Sequence, residues 1–432
     1  MAGQLLLALS ILVGVHEAGH MFAAKYFGMR VEKFSIGFPP KIFGFKKGET
    51  EYSFGAVPLG GFVKISGMID ESLDTKELSE EPKPYEFRAK PAWQRLIVMM
   101  GGIIVNVVVG IIIFIALTYI YGAQYIPASE VNVNGIVAHE LGKEIGLKTG
   151  DKIINVNGKP YERFPEDVMN ADLFLTDNNY YIVDRNGQTL KIDIPSNIAG
   201  KLSEEKNNFI SPIAQFKVAE IDKGTNAAKA GLKPNDLIIG INGDSIRFFH
   251  ELTAKLATLK NKNAEVDVLR NGKKLTLKSK VDEEGRLGFR PELLFTTKTD
   301  YFTFFQSIPR GTSEAFAVIT NTVRGFGKIF KGDVPVSKSV SGPIGIASKF
   351  GSQWIWQKFW FMTGLLSMVL AFMNFLPIPA LDGGHVMFLT YEIVSGRKPS
   401  DKFLEVAQKV GMVILLSLMV FAFGNDIFKI FQ

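Results

Sequence analysis

Cysteine is absent from all 432 residues. That excludes disulfide bridges and every zinc site built on thiolates, so a metal here has only histidine and carboxylate side chains to use. Histidine is scarce as well, with five in the chain, at positions 16, 20, 139, 250 and 385. No basic block with interleaved aromatics occurs, because the 49 Lys and Arg are mixed with 43 Asp and Glu for a net charge of +6. A nucleic-acid partner is therefore not expected. The opening run MAGQLLLALSIL carries no charge, and no Lys or Arg precedes Lys25. Cleaved secretory signals start with a basic segment, so this start is expected to be a retained, buried segment.

What is present is strongly segregated. Hydrophobic residues make up 47% of the chain, phenylalanine alone occurring 35 times. Four apolar stretches approach the roughly 20 residues needed to cross a bilayer, at 4–27, 96–122, 359–376 and 410–423. The second is interrupted only by Asn106, whereas the first contains His16, Glu17 and His20. Such side chains are tolerable at that depth only if they face a protein interior or bind something. The chain reads as a polytopic α-helical membrane protein of about four transmembrane helices, with a membrane-associated β-region and two α/β modules. The helices are expected at 1–27, 96–122, 357–381 and 407–430. Between them fall a β-region and loop at 28–95, modules at 123–205 and 206–295, an amphipathic linker region at 296–356, and a loop at 382–406.

Inside the first of these intervals, EYSFGAVPLGGFVKISG (51–67) alternates as a β-hairpin or curled sheet does. Residues 68–87 are polar and acidic, with loop or disordered character. Residues 307–332 alternate polar and apolar groups at helical spacing, which suits a helix lying along the outer membrane surface or one packed on the two modules.

The modules show themselves by repetition. GLKTGDKIINVNGKPYERFPEDV (146–168) aligns without a gap with GLKPNDLIIGINGDSIRFFHELT (231–253), an offset of 85 residues. DRNGQTLKI (184–192) aligns with LRNGKKLTL (269–277) at the same offset. Two separated blocks in one register mark a duplicated unit. Each copy predicts a turn, a buried strand closing on Asn-Gly, a helical stretch, and two strands joined at Arg-Asn-Gly. Both copies resemble PDZ domains of the bacterial protease type, the second more closely. The resemblance implies a groove that takes an extended peptide or a C-terminus by strand addition.

The chemistry sits in VHEAGH. His16 and His20 are four apart, so on a helix they lie about 40° apart on one face. That spacing suits two imidazoles on one tetrahedral Zn²⁺, with Glu17 placed to act as general base on water whose pKa zinc brings to about 7. A catalytic site needs a third protein ligand and one open position. NFLPIPALDGGHVMF (374–388) supplies two candidates, Asp382 and His385, beside a helix broken by Pro377 and Pro379. Gly383 and Gly384 give the backbone room to approach a metal. Broken backbone at membrane depth is tolerated where it lines a cavity. Residue chemistry leaves Asp382 and His385 both open, while His139 and His250 belong to the modules.

HEAGH in a first span, followed by N-x-x-P-x-P-x-x-D-G-G after a later one, resembles the site-2 protease family of intramembrane zinc metalloproteases. With two PDZ-like modules between spans two and three, the chain is most similar to the bacterial RseP group. The resemblance implies His16, His20 and Asp382 as ligands of one zinc ion and Glu17 as the base. It implies that Asn374 holds the substrate backbone or stabilises the oxyanion, with Pro377 and Pro379 shaping that wall. It makes FSIGFPP and the 51–67 segment a β-region whose Gly60, Gly61 and Phe62 meet an unwound substrate, although Pro39 stands where a glycine is expected. VSGPIGIA (340–347) also resembles a family segment preceding the third span. The implied substrates are single-pass membrane proteins, such as anti-sigma factors already trimmed outside, or remnant signal peptides.

Residues 28–95 hold eleven Lys and Arg, and Arg397, Lys398, Lys402 and Lys409 follow Asp382. The positive-inside tendency then places the site toward the cytoplasm and the modules outside a bacterial inner membrane. Two other classes fit parts of the pattern: a membrane-tethered PDZ adaptor with a structural or vestigial zinc site, and a zinc transporter or sensor. An intact Glu17 argues against the first, since a structural site has no use for a base.

Overall fold

The computed structural model describes residues 1–68, 81–202, 208–221, 223–335 and 341–430. The expected acidic loop lies, for residues 69–80, outside the described residues. The chain divides into two compact units. One comprises Met1–Ala123, Tyr301–Ile329 and Val336–Gln432, and the other Gln124–Asp300 with Phe330–Pro335.

The first unit is built on helices α1 (Ala2–Tyr26) and α2 (Ala92–Tyr121), with β1 (Val31–Lys47) and β2 (Thr50–Ile65) between them in sequence. Among the described residues, four helices in the unit are long and apolar enough to cross a membrane: α1, α2, Trp356–Phe375 and Lys402–Phe428. The backbones of α1 and α2 touch. A methyl group on Gly19 would overlap the Gly101 carbonyl, and one on Gly101 would stand 2.6 Å from the Gly19 oxygen. Forcing a side chain into such a contact costs about 1–3 kcal/mol.

Strands β1 and β2 are long and bent, so two strands make four lanes. Gly61–Ile65 pairs with Val31–Ile36, which pairs with residues 51–54, which pair again with residues 43–46. The region is thus a curled sheet, as expected, and residues 51–67 contain no hairpin of their own: they form one strand and its exit. Pro39 falls between the pairs Phe38↔Val57 and Lys41↔Gly55, where the ladder shifts register and needs no N–H from it. Met21, Ala24, Met29, Val31, Val63, Ile65 and Val98 form one core that fixes the sheet to α1 and α2. On the last two lanes of that order Ile42, Phe43, Phe45 and Phe54 are exposed.

The second unit contains the repeat. In the first module, α3 (Ala128–Asn134) leads into β3 (Ile136–Ala138), β4 (Lys152–Val156), α4 (Ala171–Leu175), β5 (Asn179–Arg185), β6 (Gln188–Ile194), α5 (Ile198–Leu202) and β7 (Ile210–Pro212). The second runs through β8 (Gln215–Ile221), β9 (Leu237–Ile241), α6 (Phe249–Ala257), β10 (Asn263–Arg270), β11 (Lys273–Lys280) and β12 (Phe289–Leu294). Each has a four-stranded sheet in the same order: a two-residue strand, then β4, β5, β6 in one and β9, β10, β11 in the other. Their hairpin asparagines, Asn157 and Asn242, and then Asn186 and Asn271, all take positive φ, each followed by a positive-φ glycine. The expected boundary at 206 moves toward the C-terminus. Phe209 and Ile210 are buried in the first core, and β7 pairs back on β3.

Returning to the first unit, α7 (Phe304–Lys331) docks on the membrane helices. Gly311 abuts the backbone of Phe114 and Ile115, and Ala315 is buried with Phe114 and Met368. Small residues at 311 and 315 let the helix seat on α2. Then come α8 (Pro343–Phe350), α9 (Trp356–Phe375), α10 (Asp382–Ser395) and α11 (Asp401–Ile430). The buried Asp426 of α11 accepts hydrogen bonds from the backbone N–H groups of Gly342, Ile344 and Gly345 at 2.8–3.0 Å, which satisfies the start of α8. The loop expected at 382–406 is helical for its first 14 residues. Asp382 suits a first helical turn, where its charge meets the helix dipole.

Candidate active site

His16 and His20 lie one turn apart on α1, with exposures of 8% and 5%. Both turn toward α2, whose Gly101 and Gly102 leave room for them. A methyl on Gly102 would overlap His20 Nε2 and stand 2.8 Å from His16 Nδ1. His20 Nδ1 is 2.8 Å from the Val98 carbonyl. A carbonyl only accepts, so Nδ1 carries a proton and Nε2 is the nitrogen left to face a ligand. His16 Nδ1 faces the Asn106 amide at 3.1 Å.

Asp382 arrives from the other side. Helix α9 stops at Phe375, and the chain turns through Leu376–Leu381 with short backbone bonds, Ile378 N–H to Leu376 O at 2.7 Å among them. Ala380 is held at φ +84°, a strained conformation for a residue with a side chain. Gly383 and Gly384 do not serve the metal side of this turn, as the sequence suggested. They let the start of α10 press against the carbonyls of Phe375, Leu376 and Ile378. Behind the turn a methyl on Gly411 of α11 would overlap the Pro379 carbonyl. Arg95 of α2 and Glu392 of α10 form a partly buried ion pair at 2.5 Å, fixing the helix that carries Asp382 to the helix that backs the histidines.

Three atoms converge. His16 Nε2 and His20 Nε2 are 3.2 Å apart, and Asp382 Oδ2 is 3.1 Å from the first and 3.3 Å from the second. Those distances suit an ion pair, yet Oδ2 is buried without a hydrogen-bond donor. Three potential ligand atoms crowded together, one of them a carboxylate oxygen with no donor, are a donor set suited to a cation. A tetrahedron with bonds of about 2.0–2.1 Å has edges of about 3.3 Å, so the N₂O set fits zinc. Among the described residues this is the one group of three or more potential ligands whose atoms converge. His385, the rival candidate, lies one turn along α10 and is not in the trio.

Glu17 follows His16 and accepts a hydrogen bond from the backbone of Val63 in β2. Gly61 stands directly beside it: a methyl there would lie 2.6 Å from the Ser35 carbonyl and 3.4 Å from Glu17 Cγ. Gly60 is held bare by the Phe38 ring, and Phe62 pairs with Ser35 while Lys33 lies over its ring. Asn374 brings Nδ2 to 3.3 Å from His16 Nε2. Pro377 is exposed and Pro379 partly so, both in the turn before Asp382. His139 and His250 belong to the other unit, where His139 Nε2 meets Ser211 Oγ at 2.9 Å. In the sequence Asn106 shows only as an interruption of the second apolar stretch. The signal was there, since it is the one polar residue between Arg95 and Thr118.

Residues 4–418 match the profile of peptidase family M50. Relatives named as zinc metalloproteases include one from Neisseria meningitidis, 28% identical over 98% of both chains, and one from Fusobacterium nucleatum, 30% identical over 98% of this chain and 97% of its own. The regulator of sigma E protease of Haemophilus influenzae is 27% identical over 99% of this chain and 98% of its own. The chain belongs to peptidase family M50, the site-2 proteases, and is a zinc metallopeptidase of the membrane.

Proposed function

We propose that this site-2 protease cleaves membrane-spanning segments at the site formed by His16, Glu17, His20 and Asp382. The observation that carries the reading is the convergence of three potential ligand atoms within 3.1–3.3 Å, with Glu17 adjoining. Zinc bound there supplies a Lewis acid that polarises water and the scissile carbonyl. Glu17 takes the proton from the attacking water and returns it to the leaving amine. Asn374 donates from its amide to the carbonyl oxygen as negative charge develops there. Pro377 and Pro379 keep the wall opposite α1 from becoming helix.

A helical substrate hides its amides in its own hydrogen bonds, so it must be opened before attack. The Gly61–Ile65 lane pairs on one side only with Val31–Ile36, and Val63 turns its backbone toward Glu17. An extended substrate adding to that edge is carried to the base, with Gly60 and Gly61 leaving room for its backbone and Phe62 packing on it. The basic 28–95 segment supports an orientation with this edge and the zinc site toward the cytoplasm of a bacterial inner membrane and the modules outside. The modules act as PDZ-like filters on single-pass substrates, of the anti-sigma-factor or remnant-signal-peptide kind, already trimmed outside.

The test is expression of wild type, Glu17→Gln and Asp382→Ala with a panel of single-pass substrates, mapping intramembrane fragments by mass spectrometry. Glu17→Gln is expected to keep zinc and lose about 10²–10⁴-fold in cleavage, and Asp382→Ala to lose zinc. Identical fragments from wild type and Glu17→Gln at equal rates would sink the assignment.

A further inference from the structure

We infer that Asn106 is a positioning residue for the zinc site, holding His16 in the tautomer and ring plane that ligation by Nε2 requires. The inference rests on the reading of His16 as a ligand. Asn106 is fully buried, at 0% exposure, in the most apolar stretch of α2. A polar side chain at that depth needs a partner, since an unmet buried amide costs about 1–3 kcal/mol. Among the described residues its one side-chain partner is His16 Nδ1 at 3.1 Å, and its Oδ1 has none.

An imidazole that ligates through Nε2 carries its proton on Nδ1 and needs an acceptor there. His20 has one in the Val98 carbonyl. For His16 the one hydrogen-bond partner of Nδ1 among the described residues is the Asn106 amide. With Nδ2 toward the ring, Nδ1 must accept, which puts the proton on Nε2, between the ring and Asp382 Oδ2. Turned end for end within the same volume, the amide offers Oδ1 to Nδ1–H. That gives the orphaned oxygen a donor and leaves Nε2 its lone pair. The two histidines are then oriented from one helix, His20 by a backbone carbonyl and His16 by a side chain. The backbone carbonyl of Asn106 separately accepts a 2.7 Å hydrogen bond from Ser367 Oγ of α9.

The roles separate by acceptor chemistry. Asn106→Leu keeps the volume and removes the acceptor. Asn106→Asp keeps an acceptor at the same place. Ser367→Ala perturbs the α2–α9 packing without touching His16. In purified full-length protein, zinc affinity is measured by chelator competition, and Co²⁺ substitution reports ligand geometry through its visible absorption. Asn106→Leu is expected to weaken zinc about 10–100-fold and to change the Co²⁺ spectrum. Asn106→Asp and Ser367→Ala are expected to stay near wild type in both. Wild-type affinity and spectrum in Asn106→Leu would overturn the inference, as would equal losses in the Leu and Asp variants, which would reduce Asn106 to packing. A His16→Ala arm separates the two readings. If His16→Ala loses zinc while Asn106→Leu keeps it, only this inference fails; if His16→Ala keeps zinc, the ligand set itself is wrong.

Discussion

In the first module Asp151 holds Arg185 through both carboxylate oxygens at 2.7 Å, and in the second Asp236 holds Arg270 in the same way. Each arginine also reaches the carbonyl of a positive-φ glycine, Gly146 or Gly231, and each aspartate accepts the N–H of the lysine three residues before it. Every atom of this latch recurs at the offset of 85. The flanks do not. Where the second module has the seven-residue β8 paired with β12, the first has helix α3 and the three-residue pair β3–β7. Where the second has the nine-residue α6 beside β8, with Phe249 edge-on to Phe216 at 5.2 Å, the first has the five-residue α4. The duplication thus repeats what closes the fold and differs in what a strand-adding ligand would meet.

The sharpest way to break that parallel is at the latch. Asp151→Ala and Asp236→Ala are each expected to destabilise their own module by about 3 kcal/mol, because the arginine and a backbone N–H lose a partner that is 99% buried in both cases. Hydrogen exchange resolved by peptide in the intact protein reads the two separately, and a difference beyond about 2 kcal/mol between them would show that the modules are not equivalent.

Next in size is ligand binding. Extended peptides with free C-termini are expected to bind the second module at least 10-fold more tightly than the first, about 1.4 kcal/mol. Crosslinks should fall on 249–257 and 289–294, not on 171–175 or 210–212. Equal labelling of both would dissolve the contrast drawn between the flanks.

Acid gives the smallest effect. Burial lowers the pKa of His139, helped by Lys143 and His250, and burial lowers that of His250 against the pull of Glu251. Both are then neutral in the folded protein at pH 7, and the unfolded chain binds protons more readily. Stability of this unit is full above the unfolded value of about 6.5 and falls as pH drops through it toward the lowered folded values. His250 is expected to contribute the steeper loss, because its Nδ1 is buried without a partner while His139 has Ser211. Denaturation between pH 7 and 5 in His250→Asn and His139→Asn checks this, and an unchanged slope in both variants would remove histidine as the cause.

Much of this was legible before any coordinates. The i, i+4 spacing of His16 and His20 is a helix-periodic fact, and the repeat states its own strands and turns through Asn-Gly pairs. Both depend on residues near in sequence. The choice between Asp382 and His385 was not legible from residue chemistry, since three positions on a helix separate them and only the approach of α10 to α1 decides which converges. The roles of Gly383 and Gly384 were misread for the same reason: a glycine shows that something comes close, and the sequence does not say what. Residues 382–395 read as loop because two glycines and two nearby prolines suppress helix locally. The helix forms because Glu392 pairs with Arg95, nearly 300 residues earlier in the chain, and because its start has carbonyls to rest on. The divergence of the flanks was hidden because the aligned blocks stop short of both ends of each module.

Gly411 contributes no atom to the chemistry, and α11 carries none of the ligands. Yet the carbonyl of Pro379 rests against the bare backbone at 411, so the last span works as a doorstop behind the strained turn at Ala380. The turn cannot relax away from the histidines without pushing a whole membrane helix aside. The reach of Asp382 is therefore set from the far end of the chain, and a protein cut off before its last span would keep every residue of the site and lose the brace that aims one of them.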